Sequence, residues 1–167
     1  SSIADLEFKH ELMREIAYKS MLDVTRKEIH GRALAILESA TKEQLEQEVE
    51  TLAYHAYRAG RWEKALPYQI RSSRKAIRRG ANADCIGLVN NALATLTKLP
   101  VSEMSETAHV DVRLLAIIAM EPLGQHERVL KFLLEALEYA TKLADKRRFA
   151  AVKCQLALAW WRRGDYT

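Results

Sequence analysis

Residues 52–66 of this chain read LAYHAYRAGRWEKAL, and this stretch decides the fold. Apolar and small side chains recur three and four positions apart on both sides of Gly60, a spacing that places them on one face of an α-helix. A glycine between two such segments tolerates the left-handed backbone that ends a helix. The stretch therefore predicts two amphipathic helices joined by a short turn and packed as antiparallel neighbours.

Glycines that are expected to end a helix recur at Gly80, Gly124 and Gly164. Five residues after the first three of these four glycines come Ala65, Cys85 and Val129, and four residues before Gly60, Gly124 and Gly164 come Ala56, Met120 and Trp160. Small side chains allow two helix axes to approach closely, and a larger one fills the space beside the turn. We expect these positions, Trp160 among them, to lie in the core.

The rest of the chain carries the same helical periodicity and predicts an all-α protein of eight successive helices. Two amphipathic segments occupy the first 40 residues, and the other helices are expected at about 43–59, 62–79, 83–98, 105–122, 125–143 and 147–163. Apolar residues make up 49% of the chain, whereas it has only 6 glycines and 3 prolines; this composition favours helices over hairpins. Residues 97–105 form the one longer predicted connection.

This pattern of small and large positions around a glycine and an aromatic resembles the tetratricopeptide repeat (TPR). The best matches are Gly60-Arg61-Trp62-Glu63-Lys64-Ala65-Leu66 and Gly164-Asp165-Tyr166. The resemblance implies an α-α superhelix of TPR-like antiparallel helix pairs. The spacing departs from the family's repeat of about 34 residues, because Gly60 and Gly80 are 20 residues apart and Gly124 and Gly164 are 40 apart.

The first 40 residues resemble a different region of known proteins. Phe8-Lys9-His10-Glu11-Leu12, Glu15-Ile16-Ala17-Tyr18 and Arg26-Lys27-Glu28-Ile29-His30 are similar to the junction between the ATPase module and the TPR array in bacterial signal-transduction (STAND/AAA-type) ATPases. Some of those proteins are fused to class III adenylate or guanylate cyclases. The resemblance implies a helical linker over 1–41 followed by TPR-like repeats over 42–167, and we expect the chain to be a fragment of a longer protein.

No residue pattern in the chain predicts a catalytic, metal or cofactor site. A phosphate-binding loop of the form G-x-x-x-x-G-K-[ST] is missing from the sequence, the five histidines lack metal-ligand spacing, and the two cysteines are far apart. We therefore expect a non-enzymatic protein without cofactors and with structural histidines, although a Cys–His pair brought together in space stays open. The longest apolar run, 114–120, is too short to cross a membrane, and we expect a cytoplasmic location.

TPR arrays bind their ligands in a groove lined by the first helix of each pair, and the resemblance implies such a groove here. It nominates Tyr54, Tyr57 and Arg58 in the first unit, with Leu158 and Trp161 near the other end. The partner would be a protein, a peptide or other domains of the same chain. For Trp161 an alternative stays open, namely that a helix beyond residue 167 would cover it.

Five cations recur at helical spacing and form a basic face: Arg71, Arg74, Lys75, Arg78 and Arg79. A solvated surface, or contact with an acidic partner, is the favoured interpretation because runs of charge usually have that origin. The alternative is a nucleic-acid-binding module, such as the arm of a transcription regulator. Tyr68 is the only aromatic residue near the basic face, however, and the sequence there contains no nucleic-acid recognition motif.

Overall fold

The computed structural model describes residues 12–13 and 15–164, and within these residues the chain is all-α without a strand. Helical residues 12–13 and 15–20 come first. The helices that follow are α1 (Asp23–Glu38), α2 (Lys42–Gln47), α3 (Val49–Arg58), α4 (Trp62–Arg78), α5 (Asn82–Leu96), α6 (Glu103–Met120), a 3-10 turn (Glu121–Leu123), α7 (His126–Lys142) and α8 (Lys146–Arg163). The predicted fold class, all-α, is confirmed.

Most predicted helix bounds agree with the structure within a few residues, and the differences have local causes. The helix expected at 43–59 is divided into α2 and α3 at Glu48, where ψ rises to 17°. The connection expected at 97–105 is shorter, because Ser102 and Ser105 form a capping box that starts α6 at Glu103. At its other end α6 gives way to the 3-10 turn that contains Pro122.

The four glycines end helices as predicted, each in the left-handed region. Their φ angles are 70° at Gly60, 70° at Gly80, 66° at Gly124 and 83° at Gly164. After the first two, the next residue donates its N–H to the carbonyl four residues before the glycine, Arg61 to Ala56 at 2.9 Å and Ala81 to Ala76 at 3.0 Å. Of the two hydrogen bonds that define a Schellman motif, this is the one that spans more residues of the chain.

Helices pack mainly against their neighbours in the chain. The pairs in extensive contact are α1 with α3 and each later consecutive pair from α3 to α8, and α4 also touches α6. A small apolar cluster joins Leu34 of α1 to Leu52, Ala56 and Ala65. A larger cluster extends from Leu66 to Leu156 and fills the interfaces between the later helices. The core is therefore a series of linked interfaces between successive helices.

The positions flanking the glycines are buried with one exception. Four of these side chains have no exposed surface, as their spacing from the glycines predicts: Ala56, Ala65, Cys85 and Met120. Trp160 was expected in the core on the same grounds, but 43% of it is exposed. The expectation was wrong because the row that α8 buries is formed by Val152 and Leu156 and continues to the half-buried Ala159, which points about 100° away from Trp160.

Two glycine-to-alanine substitutions should change stability in opposite directions. At Gly80, φ is 70° and an added Cβ meets no atom within 4 Å, so Gly80→Ala should destabilise by about 1 kcal/mol through backbone strain alone. At Gly87, inside α5 and also without a neighbour within 4 Å, Gly87→Ala should stabilise by about 0.5–1 kcal/mol through helix propensity. Urea unfolding of both variants measures the difference, and equal effects would contradict the assigned turn.

Candidate functional site

The nominated residues of α3 form a surface patch that is partly built into the core. Tyr54 is 48% exposed, and the Arg58 guanidinium lies over its ring at 5.5 Å from the centroid. Tyr57 is half-buried: it packs against the Leu34 cluster and meets Trp62 edge-on at 5.1 Å. Tyr54 and Arg58 therefore supply the accessible part of this patch, while Tyr57 fixes the turn into α4.

Behind Tyr54 lies a hydrogen-bonded chain of ring groups that joins the residues 15–20 to α1 and α3. The Tyr18 hydroxyl is 2.9 Å from His30 Nε2, and His30 Nδ1 is 2.9 Å from His55 Nδ1. A hydrogen bond between two Nδ1 atoms needs a proton on only one of them, so both imidazoles fit the network in their neutral forms. Burial lowers the pKa of both histidines, and the neighbouring charges add to this effect at His30.

No sequence signal could have found this histidine pair. His30 and His55 are 25 positions apart on different helices, and they meet only because α1 packs on α3. The prediction that the histidines are structural agrees with the placement of these two. His10 lies outside the described residues, and His126 is exposed at the start of α7.

The nominated residues of α8 form a second patch, separated from the first by α4–α7 in the packing order. Leu158 is 40% exposed and Trp161 is 64% exposed, with the exposed Cys154 on the same side of the helix. Next to this patch, a cleft of about 320 Å³ opens between the ends of α7 and α8. The nominated residues on α3 and those on α8 therefore form two patches that are separated by four helices.

Four of the five cations in the predicted basic face are paired with carboxylates of the preceding helices. Arg71 and Arg78 reach Glu46 at 2.5 and 3.2 Å, and Lys75 and Arg79 reach Glu50 at 2.7 and 2.9 Å. The hydrogen bond from Arg71 holds the pKa of Glu46 below its usual value. Arg74 is exposed on the same helix. The acidic partner considered for this face thus includes α2 and α3 of the chain itself.

A buried polar cluster links α6 to α7. Arg113, only 8% exposed, donates from Nε to Glu135 at 3.0 Å and from Nη1 to His109 Nδ1 at 2.9 Å. The Tyr139 ring stacks on His109 with 4.1 Å between centroids. Burial, helped by the positive charge of Arg113, lowers the pKa of His109 to about 4. His109 is therefore neutral near pH 7 and accepts the arginine hydrogen bond.

One further reactive group, the thiol of Cys85, lies in the core. Cys85 is buried among apolar side chains, and this burial raises the pKa of its thiol, which disfavours the nucleophilic thiolate. Within residues 12–13 and 15–164, no three side chains of histidine, cysteine, aspartate or glutamate are grouped so that they could hold a metal ion. None of the helices in that part of the chain combines the length and apolarity needed to span a bilayer.

Comparison with known proteins identifies no relative. No protein-family model, no curated protein and no solved structure matches this chain. Its function therefore has to be inferred from its own residues and their arrangement.

The ion pairs between α4 and the preceding helix should make a small, salt-dependent contribution to stability. A double-mutant cycle with Glu50→Gln and Lys75→Gln should give a coupling free energy of about 0.5–1 kcal/mol at low salt, and the value should shrink as salt screens the charges. Urea unfolding measures it. Pairing Lys75→Gln with Glu63→Gln, an exposed carboxylate on α4 itself, is the matched control and should show no coupling.

Stability should fall in acid partly because His109 is protonated. Its folded pKa of about 4 lies below the ordinary value of 6.5, so the unfolded chain binds more protons between these two pH values. The contribution of His109 is complete above pH 6.5 and is lost as the pH falls toward 4, by roughly 3 kcal/mol at one pKa unit per 1.36 kcal/mol.

The variant His109→Gln retains a hydrogen-bond acceptor but does not titrate, so its free energy of unfolding should drop less over this pH window. His30 and His55 titrate in both proteins, and the difference between the two curves isolates His109. Urea unfolding at a series of pH values gives the curves. Parallel curves would contradict the buried, neutral state of His109.

Proposed function

We propose that this chain is a non-catalytic interaction region, built as a TPR-like α-α superhelix, that binds a protein, a peptide or other domains of its own polypeptide. The observation that carries the proposal is the recurrence of one turn pattern. Helices end at left-handed glycines, with buried residues four positions before and five positions after Gly60, Gly80 and Gly124. Stacked hairpins of this kind share a continuous core and present long surfaces to a partner.

The order of packing supports the same proposal. From α3 onward each helix contacts chiefly the previous and the next helix, and α4 also touches α6, which is the kind of contact expected between equivalent helices of successive pairs. In such an array, stability comes from neighbouring units and the outer surfaces are free for recognition. The exposed Tyr54 with Arg58 on α3, and Leu158 with Trp161 on α8, are the surfaces that we assign to partners.

The link to a signalling ATPase rests on the resemblance of the first 40 residues to an ATPase-to-TPR junction. The packing of α1 on α3 through Leu34 and the His30–His55 pair supports it, because a shift of the linker would be transmitted directly to the first repeat. We propose that the full-length protein is a cytoplasmic ATPase of this type, with an adenylate or guanylate cyclase as one candidate output.

The state of the titratable groups favours binding over catalysis. The histidines with depressed pKa values donate and accept hydrogen bonds inside helix interfaces: His30 with Tyr18 and His55, and His109 with Arg113. Cys85 is held as a neutral thiol. These groups stabilise packing, and none of them lines the cleft between α7 and α8 or the one beside Gly60.

The alternative, nucleic-acid binding through the basic face, has less support than the sequence alone suggests. Phosphate binding draws on cations that release counterions, whereas Arg71, Lys75, Arg78 and Arg79 already contact Glu46 and Glu50. Arg74 is the member of the basic face that is exposed and has no carboxylate of the described residues within ion-pairing distance. Binding to DNA or RNA would therefore require these ion pairs to break.

Selection from a displayed peptide library tests the proposed function. The purified chain should select peptides that bind by calorimetry, and Tyr54→Ala or Arg58→Ala should weaken the peptides seated on α3 by roughly tenfold or more. The variant Glu63→Gln, with an exposed substitution on α4, is the control and should bind normally. Turnover of ATP by the chain, or tight DNA binding that falls steeply with salt and is lost in Arg74→Ala, would refute the proposal.

A further inference from the structure

His30 and His55 face each other across the interface between α1 and α3. Their Nδ1 atoms are 2.9 Å apart, and the Tyr18 hydroxyl lies 2.9 Å from the second ring nitrogen of His30, Nε2. A hydrogen bond between two Nδ1 atoms needs one donor and one acceptor, so at least one of the rings must be neutral. The contact therefore persists with no proton or one proton added to the pair, and it is lost when both rings are imidazolium ions.

The groups around this pair are aromatic or positively charged. From α3, Tyr54 meets both imidazole rings edge-on with 5.4 Å between centroids, and the guanidinium of Arg58 lies over Tyr54. From the other side, Tyr18 has the guanidinium of Arg26 over its ring. Burial lowers the pKa of both histidines, and the positive charges of the other ring and of Arg58 add to this effect at His30. A second proton on the pair would therefore add like charge to a site that is already positive.

The carboxylates on the same elements do not offset this charge. No carboxylate of the described residues lies within ion-pairing distance of either imidazole. Those on residues 15–20, α1 and α3 are paired with other cations or exposed: Glu15 with Lys19, Asp23 with Arg26, Glu38 with Lys64, Glu50 with Lys75 and Arg79, and the exposed Glu28. Two imidazolium ions in this contact would therefore lack both a hydrogen bond to each other and a counter-charge.

The pair is the main buried contact of the first part of the described chain. Between residues 15 and 29, only Tyr18, Met21 and Arg26 are not exposed, and each of them is half-buried. His30, which is 5% exposed, is the first buried residue of the described chain. The hydrogen bond from Tyr18 to this ring joins the residues before α1 to it. Attachment of this part of the chain to α3 therefore depends on the pair.

The rest of α1 is anchored independently of the pair. Leu34 is buried in the apolar cluster that joins α1 to α3, and the Glu38 carboxylate accepts hydrogen bonds from Lys64 and Tyr68 of α4. Gly31 lies between the two anchored parts, and a Cβ added there would meet no atom within 4 Å. Close packing does not require this glycine, and a glycine inside a helix lowers its stability, so α1 should open most easily at this position.

We propose that the His30–His55 contact is a pH-sensitive switch: protonation of both imidazoles releases residues 15–30 from α3, while Leu34 keeps the end of α1 in place. In the released form each imidazolium ion is hydrated and separated from Arg58, so this form binds the additional protons more readily and its population rises as the pH falls. The role of the switch, which is to uncouple the linker from the repeats in acid, rests on the proposed function. The release itself does not.

Hydrogen exchange of the whole chain, measured by mass spectrometry, resolves the release by segment. After correction for intrinsic exchange, peptides within residues 15–30 should lose at least about thirtyfold in protection between about pH 7.5 and about pH 5. Opening takes up as many as two protons, and each changes the equilibrium by up to about tenfold per pH unit. Peptides of α4 and α5 should keep their protection. His109, whose pKa is about 4, lies between α6 and α7 and does not contact this segment.

Two variants assign the response to the pair. His55→Gln keeps a hydrogen-bonding side chain opposite His30 but removes one of the two charges, so the loss of protection over this pH range should be at least about fivefold smaller. His126→Gln, at an exposed histidine at the start of α7, is the matched control and should respond as the unmodified chain does. Circular dichroism at the starting pH verifies that both variants are folded.

NMR titration of the histidine ring signals is a second measurement, and it needs no variant. The coupled rings should take up protons in two steps, with the apparent pKa of the second step below that of the first by about one unit or more. The second step should coincide with the loss of protection in residues 15–30.

Several results would overturn the switch. These are protection of residues 15–30 that does not change with pH, an equal response in His55→Gln, a response lost in His126→Gln, a loss of protection shared by all helices, or two independent ring titrations. If library peptides bind while residues 15–30 stay closed in acid, the switch fails and the proposed function stands. If the segment opens but no peptide binds, the switch stands and the role assigned to it falls.

Discussion

The close approach of consecutive helices at the glycine turns is the constraint on which the rest of the structure depends. Each turn reverses the chain within a few residues, because the glycine adopts φ near 70° at a position where a side chain would be strained. The residue after the glycine bonds back to the carbonyl of Ala56 or Ala76. These alanines, together with Ala65 and Cys85 across the turn, are completely buried, so their small side chains set the spacing between helices.

This manner of packing determines where polar groups lie. Interfaces formed by successive helices are narrow, so long charged side chains reach across them from the edge, as Lys75 does toward Glu50 with both groups partly exposed. Arg113 lies deeper, and a buried guanidinium is tolerated only when its donors are satisfied. Glu135 and His109 supply acceptors from the facing helix and from its own. Because of this difference in depth, we expect the first set of charges to respond to salt and the second to the protonation of His109.

The sequence predicted the helices well because the relevant signals are local. Glycines, apolar periodicity and caps act over a few residues, and α4, α5, α7 and α8 begin and end close to the expected positions. The failures concern signals that depend on neighbours. The position of Trp160, four residues before Gly164, predicts burial, but α8 packs on α7 through Val152 and Leu156, and this leaves Trp160 on the surface. The pairing of Arg71 and Lys75 with Glu46 and Glu50 required knowledge of which helix lies beside α4.

The candidate surfaces were predicted only in part, for the same physical reason. Tyr54, Arg58, Leu158 and Trp161 are exposed, and α3 and α8 are separated by four helices in the packing order, so the nominated residues form two separate patches. In an array where helices contact mainly their neighbours, each surface is coupled to the next only through the interfaces between them. A ligand on α3 would act first on the His30–His55 contact with α1, whereas a ligand on α8 would act first on α7. Binding at α3 should therefore leave the free energy of binding at α8 unchanged unless the interfaces between the two helices shift together.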